Sequence, residues 1–150
     1  MVTTVGTSGD FPTLIENMIY LERDAIAAYD ATIERLEGAD ARQAIADFRN
    51  DHHRHLAELT QLAATHGAKV PAEGDMKQLL TTGKVKLAGV VGGDGMVLKA
   101  MSSNETDTVD AYAAACENAA VPIEAKPVFE RGLADERRHK TWMDAASERS

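Results

Sequence analysis

The sequence predicts an all-α protein that folds as a four-helix bundle. Its 150 residues are 44% hydrophobic, which is enough to form one domain with a core of its own. Aromatic residues make up only 5% of the chain, and no segment alternates apolar and polar residues over the length of a strand. Apolar residues instead recur at threes and fours in four segments. Two antiparallel helical hairpins joined by a long crossover linker account for this order.

The first hairpin is predicted from apolar spacing and helix-capping residues. Thr13 and Glu16 form a capping-box pattern at the start of the first helix, which is expected to run to Gly38. Asp40 is a suitable N-cap for the second helix, and Gly67 occupies the position of a C-cap. The short turn between the two helices predicts that they lie side by side.

The second hairpin follows a segment without helical periodicity. Glycines punctuate residues 69–94, where a brief helix over 76–80 is expected. The third helix carries an apolar stripe over 98–119, and the fourth is predicted to start one or two residues after Pro127. A linker of about 25 residues can travel the length of a bundle, so the second and third helices are predicted to run parallel.

Charge and composition exclude several classes of function. A net charge of -8 and a pI of about 5.0 would repel nucleic-acid phosphates and anionic membranes, whereas cations would be attracted. No run of about 20 apolar residues is present to span a bilayer. Residues 1–10 lack the features of a signal peptide. We therefore expect a cytoplasmic protein with a flexible tail over 1–10 and a bundle domain over 11–150.

A polar motif recurs in register along the four apolar stripes. Its members are Glu22 with Tyr29, His52 with His55, Glu105 with Tyr112, and Glu136 with His139. Measured from the first glutamate of each half, the offsets are 0, 7, 30 and 33, then 0, 7, 31 and 34. With about 1.5 Å of rise per residue, the first residues of the four pairs fall within about one helical turn of a common height in the bundle.

Polar side chains on apolar stripes must enter the core, where unpaired charges cost several kcal/mol. A bound metal would compensate them, and six side chains are the expected metal ligands: Glu22, His52, His55, Glu105, Glu136 and His139. Mixed oxygen and nitrogen donors suit iron, manganese or zinc rather than calcium. Tyr29 and Tyr112 follow their glutamates by two helical turns, so each hydroxyl could bond a carboxylate of a neighbouring helix and support the bound metal.

These motifs resemble the ferritin-like superfamily, in particular the rubrerythrin-type di-iron carboxylate proteins, over about residues 12–148. The two Glu and Tyr pairs match the family's first and third helices, and Glu136 with His139 matches its Glu-x-x-His pair. The second helix departs from the family, because His52 stands where a glutamate is expected. Asp51 is displaced from that face by about 100°.

The resemblance implies a di-iron or iron-manganese centre that reacts with dioxygen or peroxide, or that oxidises ferrous iron. Glu22, Glu105 and Glu136 would be its catalytic carboxylates. It also implies a homodimer and a role in iron or oxidative-stress handling. No Cys-x-x-Cys pair is present, so electrons would come from a separate donor or from ferrous iron itself. The departure at His52 leaves Glu136 as the only bridge that matches the family, unless Asp51 or a water substitutes. It leaves open whether two ions bind unequally or only one binds.

Other interpretations compete with a redox centre. One is a non-enzymatic, stress-associated protein that sequesters iron or zinc. Another is a helical dimerisation module with a decayed metal site, and a third is a bundle whose polar core satisfies itself. Among residues outside the motif, His53 is expected on the surface, Cys116 in an apolar environment, and Trp142 in the core or an interface.

Overall fold

The computed structural model describes residues 3–71, 87 and 89–149. These described residues form four long helices: α1 over Phe11–Arg35, α2 over Ala39–His66, α3 over Asp94–Glu117 and α4 over Lys126–Arg149. The described residues contain no strand, and the prediction of an all-α four-helix bundle is confirmed. The brief helix expected over 76–80 lies outside the described residues.

Each helix lies antiparallel to its neighbours in the bundle. The helices α1 and α2 form one hairpin, α3 and α4 form the other, and the hairpins meet through α1 with α3 and through α2 with α4. Tyr29, late in α1, contacts Glu105 in the middle of α3, whereas Tyr112, late in α3, contacts Glu22. The diagonal pair α2 and α3 therefore runs parallel, as the sequence predicts.

The start of α1 differs from the prediction. The helix begins at Phe11, and its N-cap is Asp10, whose Oδ2 accepts hydrogen bonds from the Thr13 backbone N–H (3.1 Å) and hydroxyl (2.6 Å). Pro12 occupies the first turn, where its missing N–H costs nothing. The capping box expected for Thr13 and Glu16 is therefore wrong, because Thr13 is a donor inside the first turn.

Two further helix starts are shifted. Gly38, rather than Asp40, is the N-cap of α2, and the Asp94 carboxylate accepts from the N–H groups of Glu37 (2.9 Å) and Gly38 (2.8 Å). This contact ties the start of α3 to the first hairpin loop. The helix α4 begins at Lys126, so its proline lies within the first turn. The predicted C-cap at Gly67 is confirmed by its left-handed backbone, with φ 71°.

Two apolar layers enclose the middle of the bundle. One layer includes Leu14, Met18, Leu59 and Phe129, and the other includes Ile45, Leu98, Met101 and Met143. Along the chain of every helix, the buried motif residues come after the residues of one layer and before those of the other. The polar centre is therefore closed off on both sides along the bundle axis.

Part of the N-terminal segment packs on α3. Val5 is buried, and Gly6 has φ +92° and lies so close to α3 that a Cβ atom would come within 2.3 Å of the Ala111 carbonyl oxygen. The Asn118 side chain donates to the carbonyls of Gly6 (3.1 Å) and Ser8 (2.8 Å). Flexibility of residues 1–10 stays a prediction. None of the described helices has the length and apolar character needed to cross a membrane.

Candidate metal centre

The structure brings the six predicted metal ligands together at the centre of the bundle. Five of them have no exposed side-chain surface, and His55 is 3% exposed. They form two groups of four that share His52 and Glu136, and in each group the candidate ligand atoms lie within 4.8 Å of one another. We call the group with Glu22 and His55 position 1, and the group with Glu105 and His139 position 2.

Two tyrosines connect the hairpins through these carboxylates. The Tyr29 hydroxyl of α1 donates to Glu105 Oε1 of α3 at 2.5 Å, and the Tyr112 hydroxyl of α3 donates to Glu22 Oε1 of α1 at 2.7 Å. Burial and the nearby carboxylates raise the pKa of both tyrosines well above the usual value of 10.0. Both hydroxyls therefore keep their protons and remain donors to the glutamates.

The second oxygen of each of these glutamates is also bonded, but by different groups. Thr108, three residues after Glu105, donates to Glu105 Oε2 at 2.7 Å. The equivalent residue after Glu22 is Ala25, whose side chain has no hydrogen-bond donor. His52 Nδ1 takes that place, 2.7 Å from Glu22 Oε2.

Two aspartates bond the outer nitrogens of the terminal histidines. Asp51 Oδ2 of α2 lies 2.8 Å from His139 Nε2 of α4, and Asp135 Oδ2 of α4 lies 2.8 Å from His55 Nε2 of α2. A carboxylate behind a ligating histidine fixes the ring and leaves its other nitrogen for the metal. Asp51 therefore lies behind His139 and not between the two positions.

This outer arrangement was not predicted from the sequence, although a signal for it exists. Residues 51–55 and 135–139 share the pattern Asp-x-x-Arg-His. The arginines complete the crossing, since Arg138 donates to Asp51 at 2.7 Å and Arg54 donates to Asp135. The repeat is visible in the chain, but the histidine partner of each aspartate lies on the other helix.

Four buried atoms at the centre have no hydrogen-bond partner among the described residues: His52 Nε2, His55 Nδ1 and both oxygens of Glu136. His52 Nε2 lies 3.4 Å from Glu136 Oε2, and His55 Nδ1 lies 3.3 Å from Glu136 Oε1. Unsatisfied buried groups cost about 1–3 kcal/mol each. A cation between them would satisfy all four, so the donor set fits a metal.

Charges are paired at the centre without a metal. Burial opposes ionisation of Glu22 and Glu105, but the neighbouring histidines outweigh it, so the pKa of Glu22 falls to about 2 and that of Glu105 is also lowered. Burial likewise opposes the charged form of the histidines. The surrounding carboxylates nevertheless raise the pKa of His52 well above 6.5 and that of His55 to about 10. These four groups form two opposite-charge pairs.

The remaining two ligands are neutral in this state. Burial, together with the charge of Glu105, raises the pKa of Glu136 well above its usual value. Burial lowers the pKa of His139. The six side chains therefore sum to a net charge of about zero, with protons occupying places that a metal would take.

Close packing fixes the walls of the centre. Phe48 stacks on His139 with ring centroids 4.4 Å apart. Gly132 lies against the Tyr112 ring, where a Cβ atom would come within 2.3 Å of a ring carbon. Outside the centre, His53 is exposed, as predicted.

Fold and site together define a four-helix bundle with a buried carboxylate and imidazole cluster that could hold metal ions. The chain belongs to the family described as "Domain of unknown function (DUF2383)", whose model matches residues 12–118. That match includes the motif residues of the first three helices and ends before Glu136 and His139. No curated protein and no solved structure matches the chain.

Proposed function

We propose that the cluster binds two transition-metal ions, most favourably iron, and that the protein is a rubrerythrin-like member of the ferritin-like superfamily with ferroxidase or peroxidase-like activity. One observation carries the proposal: unpartnered atoms of His52, His55 and Glu136 converge in two groups that share two ligands. Three carboxylates and three imidazoles suit iron, with manganese or zinc as alternatives.

The protein's own residues prepare the ligands for a cation. The Tyr29 and Tyr112 hydroxyls hold the terminal glutamates. Asp51 and Asp135 accept from the outer nitrogens of the terminal histidines, so the inner nitrogens can offer lone pairs. Before a metal binds, protons must leave His52, His55 and Glu136. The apolar layers on both sides restrict water, which strengthens electrostatic interactions at the centre.

Bound iron would supply the one-electron chemistry for reaction with dioxygen or peroxide, which these side chains cannot supply. A separate electron donor, a homodimer, a cytoplasmic location and a role in iron or oxidative-stress handling stay predictions. The catalytic assignment of Glu22, Glu105 and Glu136 is part of the same proposal.

Anaerobic iron titration tests the proposal. Metal-free protein would receive ferrous iron, pass through a desalting column and be analysed for retained metal before air or peroxide is admitted. We expect up to about two ions per chain, followed by rapid growth of near-ultraviolet absorption. His52→Ala should lower retention, whereas the matched control His53→Ala, one residue away but exposed, should not. Wild-type protein that retains no iron would contradict the proposal.

The replacement of a carboxylate by His52 favours a second candidate, a non-enzymatic protein that sequesters zinc or iron. Imidazole suits zinc, and one fewer carboxylate reduces the negative charge available to stabilise a ferric product. Tight zinc that excess ferrous iron cannot displace would favour this candidate. Wild-type protein that binds neither metal would exclude both candidates and leave the two interpretations without a metal, a dimerisation module or a bundle whose polar core satisfies itself.

A further inference from the structure

We infer that His52 is a ligand for position 2 alone, so that the two positions load in a fixed order with position 2 first. This inference rests on the proposed metal binding. The repeat in the sequence shows only that His52 breaks the symmetry. The structure adds the direction, because the two ring nitrogens of His52 face different groups.

The Nδ1 side of the His52 ring faces Glu22. His52 Nδ1 lies 2.7 Å from Glu22 Oε2, and a neutral imidazole has one N–H and one lone pair. Glu22 Oε2 receives no hydroxyl there, since Ala25 stands where Thr108 serves the other half. The N–H of His52 is therefore held at Nδ1 as the donor to Glu22.

With the proton at Nδ1, the lone pair of His52 lies on Nε2. That atom has no hydrogen-bond partner and lies 3.4 Å from both Glu105 Oε1 and Glu136 Oε2. It therefore faces the carboxylates of position 2. Position 2 gains four protein donors: His52, Glu105, Glu136 and His139. Position 1 keeps three, namely Glu22, His55 and Glu136.

The difference in donors between the two positions determines the order in which they load. An ion at position 2 has one more donor and two imidazoles, so it binds more tightly. It would also neutralise part of the charge of Glu136, a ligand that position 1 shares. It would repel a second divalent ion at position 1. The second ion therefore binds more weakly than it would in a symmetric site.

Zinc titration of the wild-type protein, followed by nitrogen-15 NMR of the histidine rings, tests this order directly. With the first equivalent of zinc, we expect the His52 Nε2 and His139 Nδ1 resonances to move to metal-bound values while His52 Nδ1 keeps its proton. His55 Nδ1 should respond to the second equivalent only. A response of His55 to the first equivalent, or binding through His52 Nδ1, would overturn the inference.

A matched pair of variants tests it by calorimetry, with circular dichroism to confirm that each variant is folded. His139→Ala should weaken the tighter zinc step by about tenfold or more, whereas His55→Ala should leave that step within about threefold. The reverse result, or equal effects, would overturn the order while leaving metal binding intact. Wild-type protein that binds no zinc or iron would overturn the proposed function and this inference together. Should a variant not fold, the wild-type NMR titration decides.

Discussion

At the residue scale, the side chain at position 52 sets the charge balance of the centre. His52 faces the three glutamates Glu22, Glu105 and Glu136 within 3.4 Å, and the positive charge of its ring offsets part of theirs. A glutamate there would complete the repeat. It would also place a fourth carboxylate among only two imidazoles. A glutamate at position 52 would therefore make the metal site more symmetric. It would also leave the metal-free core with unbalanced negative charge.

We accordingly expect His52→Glu to be destabilising without metal and to be rescued by it. Removing one partner of a buried ion pair costs about 3–5 kcal/mol, which should lower the melting temperature of the metal-free protein by roughly 10 °C. Two divalent ions should restore much of that loss and bind with more similar affinities than in the wild type. Thermal unfolding with chelator and with zinc provides the measurement. Unchanged stability without metal would contradict the charge argument.

Gly132 provides a second prediction at this scale. In an open helix position, alanine is more stable than glycine by about 1 kcal/mol. Here a methyl group would press on the buried Tyr112 ring, and overpacking costs about 1–3 kcal/mol. Gly132→Ala should therefore lower stability and weaken metal binding through the displaced Tyr112 hydroxyl.

The matched control lies two residues along the same helix. Ala134 is exposed, so Ala134→Gly should lose about 1 kcal/mol from propensity alone and leave metal binding unchanged. Urea denaturation of both variants gives the comparison. A Gly132→Ala variant more stable than the wild type would show that Tyr112 can yield to the methyl group.

At the element scale, α2 and α4 are joined by crossed pairs that single-helix reasoning cannot predict. The pattern Asp-x-x-Arg-His is readable on each helix, but it does not show that Asp51 bonds His139 across the interface (2.8 Å) in addition to Arg54 on its own helix (3.3 Å). That Glu136 and His139 share one face of their helix was predictable, because helical geometry alone determines it. The start of α1 was not, since Asp10 and Thr13 are both residue types that cap helices, and the structure uses Asp10.

The crossed pairs predict position-specific effects of two conservative substitutions. Loss of a partner behind a ligating histidine typically costs about 10–100-fold in metal affinity. Asp51→Asn should weaken the first zinc step, through His139, whereas Asp135→Asn should weaken the second, through His55. Asp47→Asn is the control, because Asp47 is exposed on α2 and accepts a hydrogen bond from Gln43 (2.9 Å), away from the metal centre. Equal effects of all three would show that only net charge matters.

At the scale of the whole molecule, the sequence predicted the common height of the motif because rise per residue and loop positions suffice to calculate it. It could not predict the protonation of the centre, which depends on contacts among four helices. The raised pKa of Glu136 requires the charge of Glu105 beside it. The raised pKa of His55 likewise requires Glu22 and Glu136.

These shifts predict how stability of the metal-free protein depends on pH. The pKa of His55 is about 10 in the folded state and about 6.5 in the unfolded state. Its contribution to the free energy of unfolding is therefore complete below pH 6.5 and is lost as pH rises toward 10. The pKa of Glu22 is lowered to about 2, so its contribution is present above pH 4.5 and is lost as pH falls toward 2. Melting temperature with chelator should therefore fall by at least about 5 °C between pH 6 and pH 10. A melting temperature that stays constant or rises would contradict the ion pairing.

Metal binding should reverse the pH dependence of stability, because the ions replace protons. Without metal, protons reside on His52, His55 and Glu136, and all three must leave for two ions to bind, so about three protons should be released. The inferred order also predicts how many protons each ion releases. The first ion binds at position 2 and displaces the protons of His52 and Glu136, so it should release about two protons. The second ion should release about one. Calorimetry in buffers of different ionisation enthalpy measures each step. His55→Ala should release only about two in total, and a second step that releases more protons than the first would contradict the order.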